Sequence, residues 1–124
     1  MDKKDFRILV ADDDDIARDV IATLLSNEGY FVIPVANGLE AIDRLRVGEV
    51  DLVITDLNMP EMDGITLIKL LRGTPANKFT PIVMLTTESQ AGKQEEGKKA
   101  GASGWIVKPF SPDTLLETVN KLAK

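Results

Sequence analysis

Five short apolar runs, each followed by a stretch with helical character, leave this chain few ways to fold. The runs are Arg7-Ile8-Leu9-Val10-Ala11, Phe31 to Val35, Leu52-Val53-Ile54-Thr55, Ile82-Val83-Met84-Leu85 and Trp105-Ile106-Val107. Between and after them, apolar residues recur at helical spacing: Ile16, Val20, Ile21, Leu24 and Leu25, closed by Gly29; Leu39, Ile42 and Leu45, ending near Gly48; Leu67, Ile68 and Leu71; and Leu115, Leu116, Val119 and Leu122. Ser111-Pro112 opens the last of these as an N-cap followed by proline at the first helical position. Residues 90 to 100 are a weaker candidate for the fourth helix. Such alternation implies βαβ crossovers and a parallel sheet covered on both faces.

Runs one, three, four and five are nearly continuous in apolar residues, as strands buried on both faces are. The second contains Pro34, which cannot donate to a ladder and so belongs at a sheet edge. The expected fold is therefore α/β, a doubly wound five-stranded parallel sheet. The flavodoxin-like (βα)5 strand order 2-1-3-4-5 fits; of that order, only the edge placement of strand two follows from the residues. The 124 residues suffice for one domain with a real core, spanning 1–124.

In open sheets of this kind, ligands bind beyond the carboxyl ends of the strands. Those ends carry Asp12 and Asp13, Asp56, Thr86 and Thr87, and Lys108. The other ends carry nothing comparable. Three carboxylates, a hydroxyl and an amine are thus expected on one rim. Two unit charges roughly 4 Å apart repel by about 4 kcal/mol at an effective dielectric on the order of 20. Without a counter-ion some of these acids hold protons at raised pKa. A divalent cation removes the conflict, and with only hard oxygen ligands at hand Mg²⁺ or Mn²⁺ is the natural choice. A metal, Lys108 and the Thr86 hydroxyl around Asp56 form a receptor for a phosphoryl group, with Asp56 as in-line nucleophile.

Composition removes rival chemistries. There is no Cys, hence no disulfide, thiolate catalysis or zinc–thiolate site, in keeping with the cytosol. With no His, the chain has no histidine base, histidine metal ligand or phosphohistidine of its own. A net charge of −5 argues against sequence-independent nucleic-acid binding. No long apolar run or charged-then-apolar leader is present, so neither membrane insertion nor secretion is expected, and a cytoplasmic location is.

Four blocks in order, ILVADD, DLVITDLNMPEMDG, PIVMLTTES and GASGWIVKPF, resemble the response-regulator receiver domains, most closely the stand-alone receivers of bacterial chemotaxis. The resemblance covers essentially the whole chain. It implies that Asp56 is the phospho-acceptor and that Asp12 and Asp13 are the acidic pair. Asp13, Asp56 and the backbone carbonyl of Asn58 would be direct Mg²⁺ ligands, with Asp12 acting through water. Thr86 matches the switch hydroxyl, Lys108 the phosphate-sensing lysine, and Trp105 the aromatic switch that is usually Tyr or Phe. It also implies partners: a histidine kinase as donor and a downstream target such as a flagellar motor switch protein, docking on the surface of helix four, strand five and helix five. A phosphatase is a further possible partner. The resemblance supports a cis Lys108–Pro109 bond, which lets Lys108 point back over the site as the chain enters helix five.

Other residues have plainer readings. One of Asp14 and Asp15 is expected to cap helix one and to tune rather than carry the chemistry. Met59 and Met62 are expected to pack the loop, Pro60 to set its turn, and Gly64 to allow an unusual backbone angle. Trp105 as a core residue and Thr86 as a β-former are the plain alternatives to their switch roles. The fourth helix, in QAGKQEEGKKAGA, contains Gly92 and Gly97 and no large apolar residue; only Ala91, Gly97 and Ala100 could face inward. It is expected at the low-stability end of the fold. Lys93 to Lys99 reads equally as a solvated face or a docking surface. Two enzyme-like or cofactor alternatives fit worse. A phosphatase of the haloacid dehalogenase kind needs a second acid where Asn58 stands, and a flavodoxin-type loop would not place Asp12 to Asp15 against a phosphate.

Overall fold

The computed structural model describes residues 2–87 and 90–123. Its elements run β1 (Arg7–Ala11), α1 (Asp15–Asn27), β2 (Phe31–Val35), α2 (Gly38–Val47), β3 (Leu52–Asp56), α3 (Gly64–Arg72), β4 (Ile82–Thr87), α4 (Ala91–Ala100), β5 (Gly104–Lys108) and α5 (Pro112–Leu122). Short 3-10 turns at Lys3–Asp5 and Pro75–Asn77 have no periodicity that would have announced them. All strands are parallel, in the order β2-β1-β3-β4-β5, the flavodoxin-like arrangement. Pro34 lies on the edge strand β2, opposite Val10.

The strand alternation builds two cores. Leu9, Val53, Ile82 and Met84 face α2, α3 and α4, while Ile8, Val10, Ile54, Val83 and Leu85 face α1 and α5. Three strands run further than the apolar runs alone suggest. Backbone pairing continues through Asp56↔Leu85, Thr86↔Val107 and Thr87↔Lys108, so Asp56, Thr86 and Lys108 are rungs at the end of the sheet rather than loop residues.

Two expectations need correction. Run five is not buried on both faces: β5 is an edge strand, and only Ile106 of it is buried. The apolar stripe of α1 is narrower than its spacing implies. Ile21 and Leu25 are fully buried, but Ile16 is 76% and Val20 47% exposed. Four helices are capped by a side chain that accepts from the helix backbone: Asp14, Asn37, Asp63 and Ser111. The N-cap position of α4, Gln90, makes no such bond. Gly97 is buried against Met84 and Ala100 packs on the core; the side chain of Ala91 lies outside the described residues. What holds the end of α4 is Arg72, which the sequence did not flag. Its Nε and Nη2 donate to the Gly101 carbonyl at 3.0 and 2.8 Å, and its Nη1 donates to the Asn77 and Thr80 carbonyls at 2.8 and 2.7 Å. Among the described residues, no helix is long and apolar enough to cross a membrane.

Candidate functional site

The register of the central strands brings the acids together. β1 and β3 are neighbours, so Asp12, just past β1, and Asp56, at the end of β3, share one rim. One carboxylate oxygen from each of Asp12, Asp13 and Asp56 lies within 4.8 Å of the others. Asp12 is fully buried, Asp56 half-buried and Asp13 exposed. Lys108, the last residue of β5, reaches across: its Nζ is 3.0 Å from Asp12 Oδ2 and 3.6 Å from Asp56 Oδ1. The Lys108–Pro109 bond is cis, as expected.

Each charge is fixed by its surroundings. Asp12 Oδ1 accepts from the Asp14 N–H at 3.0 Å, and Arg18 donates to the Asp12 carbonyl at 2.9 Å. Asp56 Oδ1 accepts from the Leu57 N–H at 2.9 Å. Burial, reinforced by the charge of Asp12, pushes the Asp56 carboxyl up from 3.8 to about 6, against the pull of Lys108. Burial alone would lower the Lys108 ammonium, but Asp12 and Asp56 outweigh it and raise its pKa. One lysine therefore does not neutralise the pocket. An all-oxygen cluster with surplus negative charge suits a hard divalent cation, and the donors present fit Mg²⁺.

The loop after β3 presses against this pocket. Met62 N–H donates to the Pro60 carbonyl at 2.8 Å, closing a three-residue turn with Glu61 at φ 70 in the left-handed region. Pro60 thus takes part in the turn, and Met59 is buried in the core. Gly64 differs from expectation. Its backbone angle is unexceptional; what demands glycine is proximity, because a Cβ there would lie 2.3 Å from the Asp56 carbonyl oxygen. Asn58, two residues past Asp56, is exposed on the same loop.

The remaining predicted residues stand apart. Thr86 is fully buried, and among the described residues its hydroxyl has no hydrogen bond to Asp12, Asp56 or Lys108; Gln94 of α4 donates to it instead, at 3.4 Å. Trp105 is 41% exposed on β5, paired in register with Met84. Side chains of Thr86 and Trp105 share the sheet face under α4. Gln90 and Gln94 escaped the sequence reading because isolated polar residues in a polar helix carry no periodic signal.

Of the second acidic pair, Asp14 is the cap: its Oδ2 accepts from the Ala17 N–H at 3.3 Å. Asp15 is 82% exposed and pairs with Arg18. Asp14→Ala is expected to lower stability by about 1 kcal/mol, and Asp15→Ala by less, as exposed pairs do. Both should still accept a phosphoryl group, which mass measurement after acetyl phosphate treatment checks; a folded variant that takes none would put these acids in the chemistry.

Known proteins resemble this chain in sequence and fold. Residues 8–120 match the response regulator receiver domain family. The chain is 38% identical over 120 residues to chemotaxis protein CheY-3 of Vibrio cholerae, covering 96% of this chain and 92% of that protein. It is 40% identical over 113 residues to chemotaxis protein CheY1 of Helicobacter pylori, covering 90% and 91%. The solved structure of the chemotaxis response regulator CheY4 of Vibrio cholerae superposes with a TM-score of 0.89 at 42% identity, covering 94% of this chain and 98% of that one. Receiver domains are signalling switches that bind Mg²⁺ at an acidic pocket, and relatives of the chemotaxis kind work with a histidine kinase and a downstream target. With its sheet order, its acidic rim and its Lys108 in place, the chain belongs to the response-regulator receiver domains and is CheY-like.

Proposed function

We propose that the protein is a phosphorylation-activated switch of a two-component system, acting in chemotaxis, with Asp56 as the acceptor. The observation that carries this reading is the cluster of Asp12, Asp13 and Asp56 oxygens within 4.8 Å, bridged by Lys108 at 3.0 and 3.6 Å. Asp13, Asp56 and the Asn58 carbonyl would hold Mg²⁺, with Asp12 behind them. When bound, the cation neutralises charge on the transferring phosphoryl oxygens. An Asp56 carboxylate oxygen attacks phosphorus in line as the bond to the donor imidazole nitrogen breaks; with the donor ring protonated on its other nitrogen, the electron pair of that bond leaves on a neutral imidazole and Asp56 carries an acyl phosphate. Lys108 then pairs with the new phosphoryl charge, and the Thr86 hydroxyl donates to one of its oxygens. The protein assists its own phosphorylation and slow dephosphorylation without being an enzyme for other substrates.

The donor kinase has an apolar footing beside the acceptor. Ile16 and Val20 are exposed on α1, and Ala17, Val20, Pro109 and Phe110 line a shallow depression that includes Lys108. The target is proposed to bind on α4, β5 and α5 in the cytoplasm. Acetyl phosphate with Mg²⁺ should add one phosphate and EDTA should suppress it; equal labelling in EDTA would remove the metal from the mechanism.

Trp105 offers a second test. As the only tryptophan, its emission reports its own surroundings alone. If the Thr86 hydroxyl turns toward the phosphoryl group, it vacates space on the face that Trp105 shares. Burying more of the indole is worth on the order of 1 kcal/mol, enough to bias a switch without locking it. Beryllofluoride with Mg²⁺, a mimic of the acyl phosphate, should therefore change tryptophan intensity or wavelength, and Thr86→Ala should shrink the change while leaving phosphorylation possible. An unaltered spectrum in fully phosphorylated protein would make Trp105 structural.

A further inference from the structure

Strand β4 ends in two threonines, and each meets a glutamine: Gln90 at the N-cap position of α4, and Gln94 within the helix. The Thr87 N–H donates to Gln90 Oε1 at 2.8 Å, and Gln94 Nε2 donates to Thr86 Oγ1 at 3.4 Å. Gln90, at the N-cap position, and Gln94, in the first half of α4, both reach the end of β4. Thr86 is fully buried, and Gln94 is the partner its hydroxyl has among the described residues. A buried hydroxyl oriented toward α4 is not oriented toward Asp56, which lies across β4 on β3.

Among the described residues, the two ends of α4 are held by different contacts. At its C-terminal end, Arg72 grips the Gly101 carbonyl with two bonds, and Gly97 sits tightly on Met84: a Cβ there would come within 2.4 Å of Met84 Cε. At its N-terminal end the Gln90 side chain does not cap the helix, and a Cβ on Gly92 would meet nothing within 4 Å. The glutamine contacts to β4 are the ties described there.

We propose that Gln94 is a positioning residue, a latch that holds the Thr86 hydroxyl on the α4 side of β4 in the resting protein and releases it when the hydroxyl turns to a phosphoryl group on Asp56. This rests on the reading of Asp56 as acceptor. The latch opposes activation: each activated molecule gives up the Gln94–Thr86 bond. It also ties the first half of α4 to the state of the site, with the Arg72 end as pivot.

The test measures the beryllofluoride concentration that half-saturates the protein at fixed Mg²⁺, read directly by fluorine NMR of the bound species and in parallel by Trp105 emission. Gln94→Leu keeps bulk and removes the amide donor. It should lower the half-saturating concentration by about threefold to tenfold, the range that one net hydrogen bond spans, and move the resting Trp105 emission part-way toward the bound spectrum. Gln94→Asn, whose amide is too short to reach, should behave alike and serves if Gln94→Leu folds poorly. On a Thr86→Ala background the same substitutions should change nothing. Unchanged half-saturation in both folded variants overturns the latch. So does an equal shift on the Thr86→Ala background, which would mean that Gln94 acts through the helix alone. A wild-type protein that binds no beryllofluoride overturns the reading of the site and the latch with it, whereas normal wild-type binding with indifferent variants sinks only the latch.

Discussion

Asp56→Asn should abolish phosphorylation and, in the absence of metal, make the protein more stable at pH 8. The first effect follows from the loss of the nucleophile: an amide has no anionic oxygen to attack phosphorus, and Asp12, the other acid beside Lys108, is fully buried and cannot take its place. The second follows from the electrostatics. Burial and the charge of Asp12 raise the Asp56 carboxyl from 3.8 to about 6. A raised carboxyl means that the folded state holds the proton more tightly than the unfolded chain does. Stability therefore falls as pH rises from about 4 through about 6, and the full penalty stands above that window. Asp56 is 15% exposed, and Lys108 at 3.6 Å offsets part of the repulsion, so the penalty is on the order of 1–3 kcal/mol. Asparagine removes the charge while its Oδ1 can keep the bond from the Leu57 N–H. Thermal melts in EDTA should show Asp56→Asn above wild type at pH 8 and level with it near pH 4, and Mg²⁺ should narrow the gap by stabilising the wild type. If the two proteins melted together at pH 8 in EDTA, the acids would not be in conflict, and the electrostatic case for a cation would fail.

The parts of the molecule that were legible in the sequence share a physical cause. Strands buried on both faces admit few polar residues, so an acid at the end of such a run stands out. That is why Asp12, Asp56 and Lys108 could be placed on one rim before any geometry was known, and why Pro34 marked an edge. Helix boundaries were readable where a side chain caps the backbone, as at Ser111. Misreadings arose where spacing says nothing about depth. Ile16 and Val20 continue the apolar period of α1, yet the helix turns only Ile21 and Leu25 fully inward. Trp105-Ile106-Val107 reads as buried on both faces, yet of β5 only Ile106 is buried. Arg72 and Gln94 were not legible at all. Their roles depend on carbonyls and hydroxyls contributed by distant segments, and a single polar residue has no period to betray it. Asp13 and Asn58 are intermediate: the structure gives Asp13 its place in the cluster, while the Asn58 carbonyl enters through family resemblance.

Gly64→Ala should cost more than any other single added methyl in the loop beside the site. Glycine here is usually credited with conformational freedom, but its φ needs none. The obstacle is packing: an added Cβ would lie 2.3 Å from the Asp56 carbonyl oxygen and 3.1 Å from Leu57 Cα, both backbone atoms that no rotamer change can move. The Gly64 N–H also donates to the Leu57 carbonyl at 2.8 Å, which clamps the start of α3 onto the end of β3. Relief requires shifting the whole turn from Leu57 to Asp63, at a cost of about 3 kcal/mol, the upper end for overpacking. Gly92→Ala is the matched control. A Cβ at Gly92 meets nothing within 4 Å, so the same methyl in α4 should stabilise, by up to about 1 kcal/mol. Urea midpoints should therefore move in opposite directions for the two variants. Because the displaced turn carries Asn58, Gly64→Ala should also raise the Mg²⁺ concentration needed for half-maximal phosphorylation, in protein confirmed to be folded. A lowered midpoint with unchanged Mg²⁺ demand would separate the two effects: the clash would be real, and the loop carbonyl would not be among the cation's ligands.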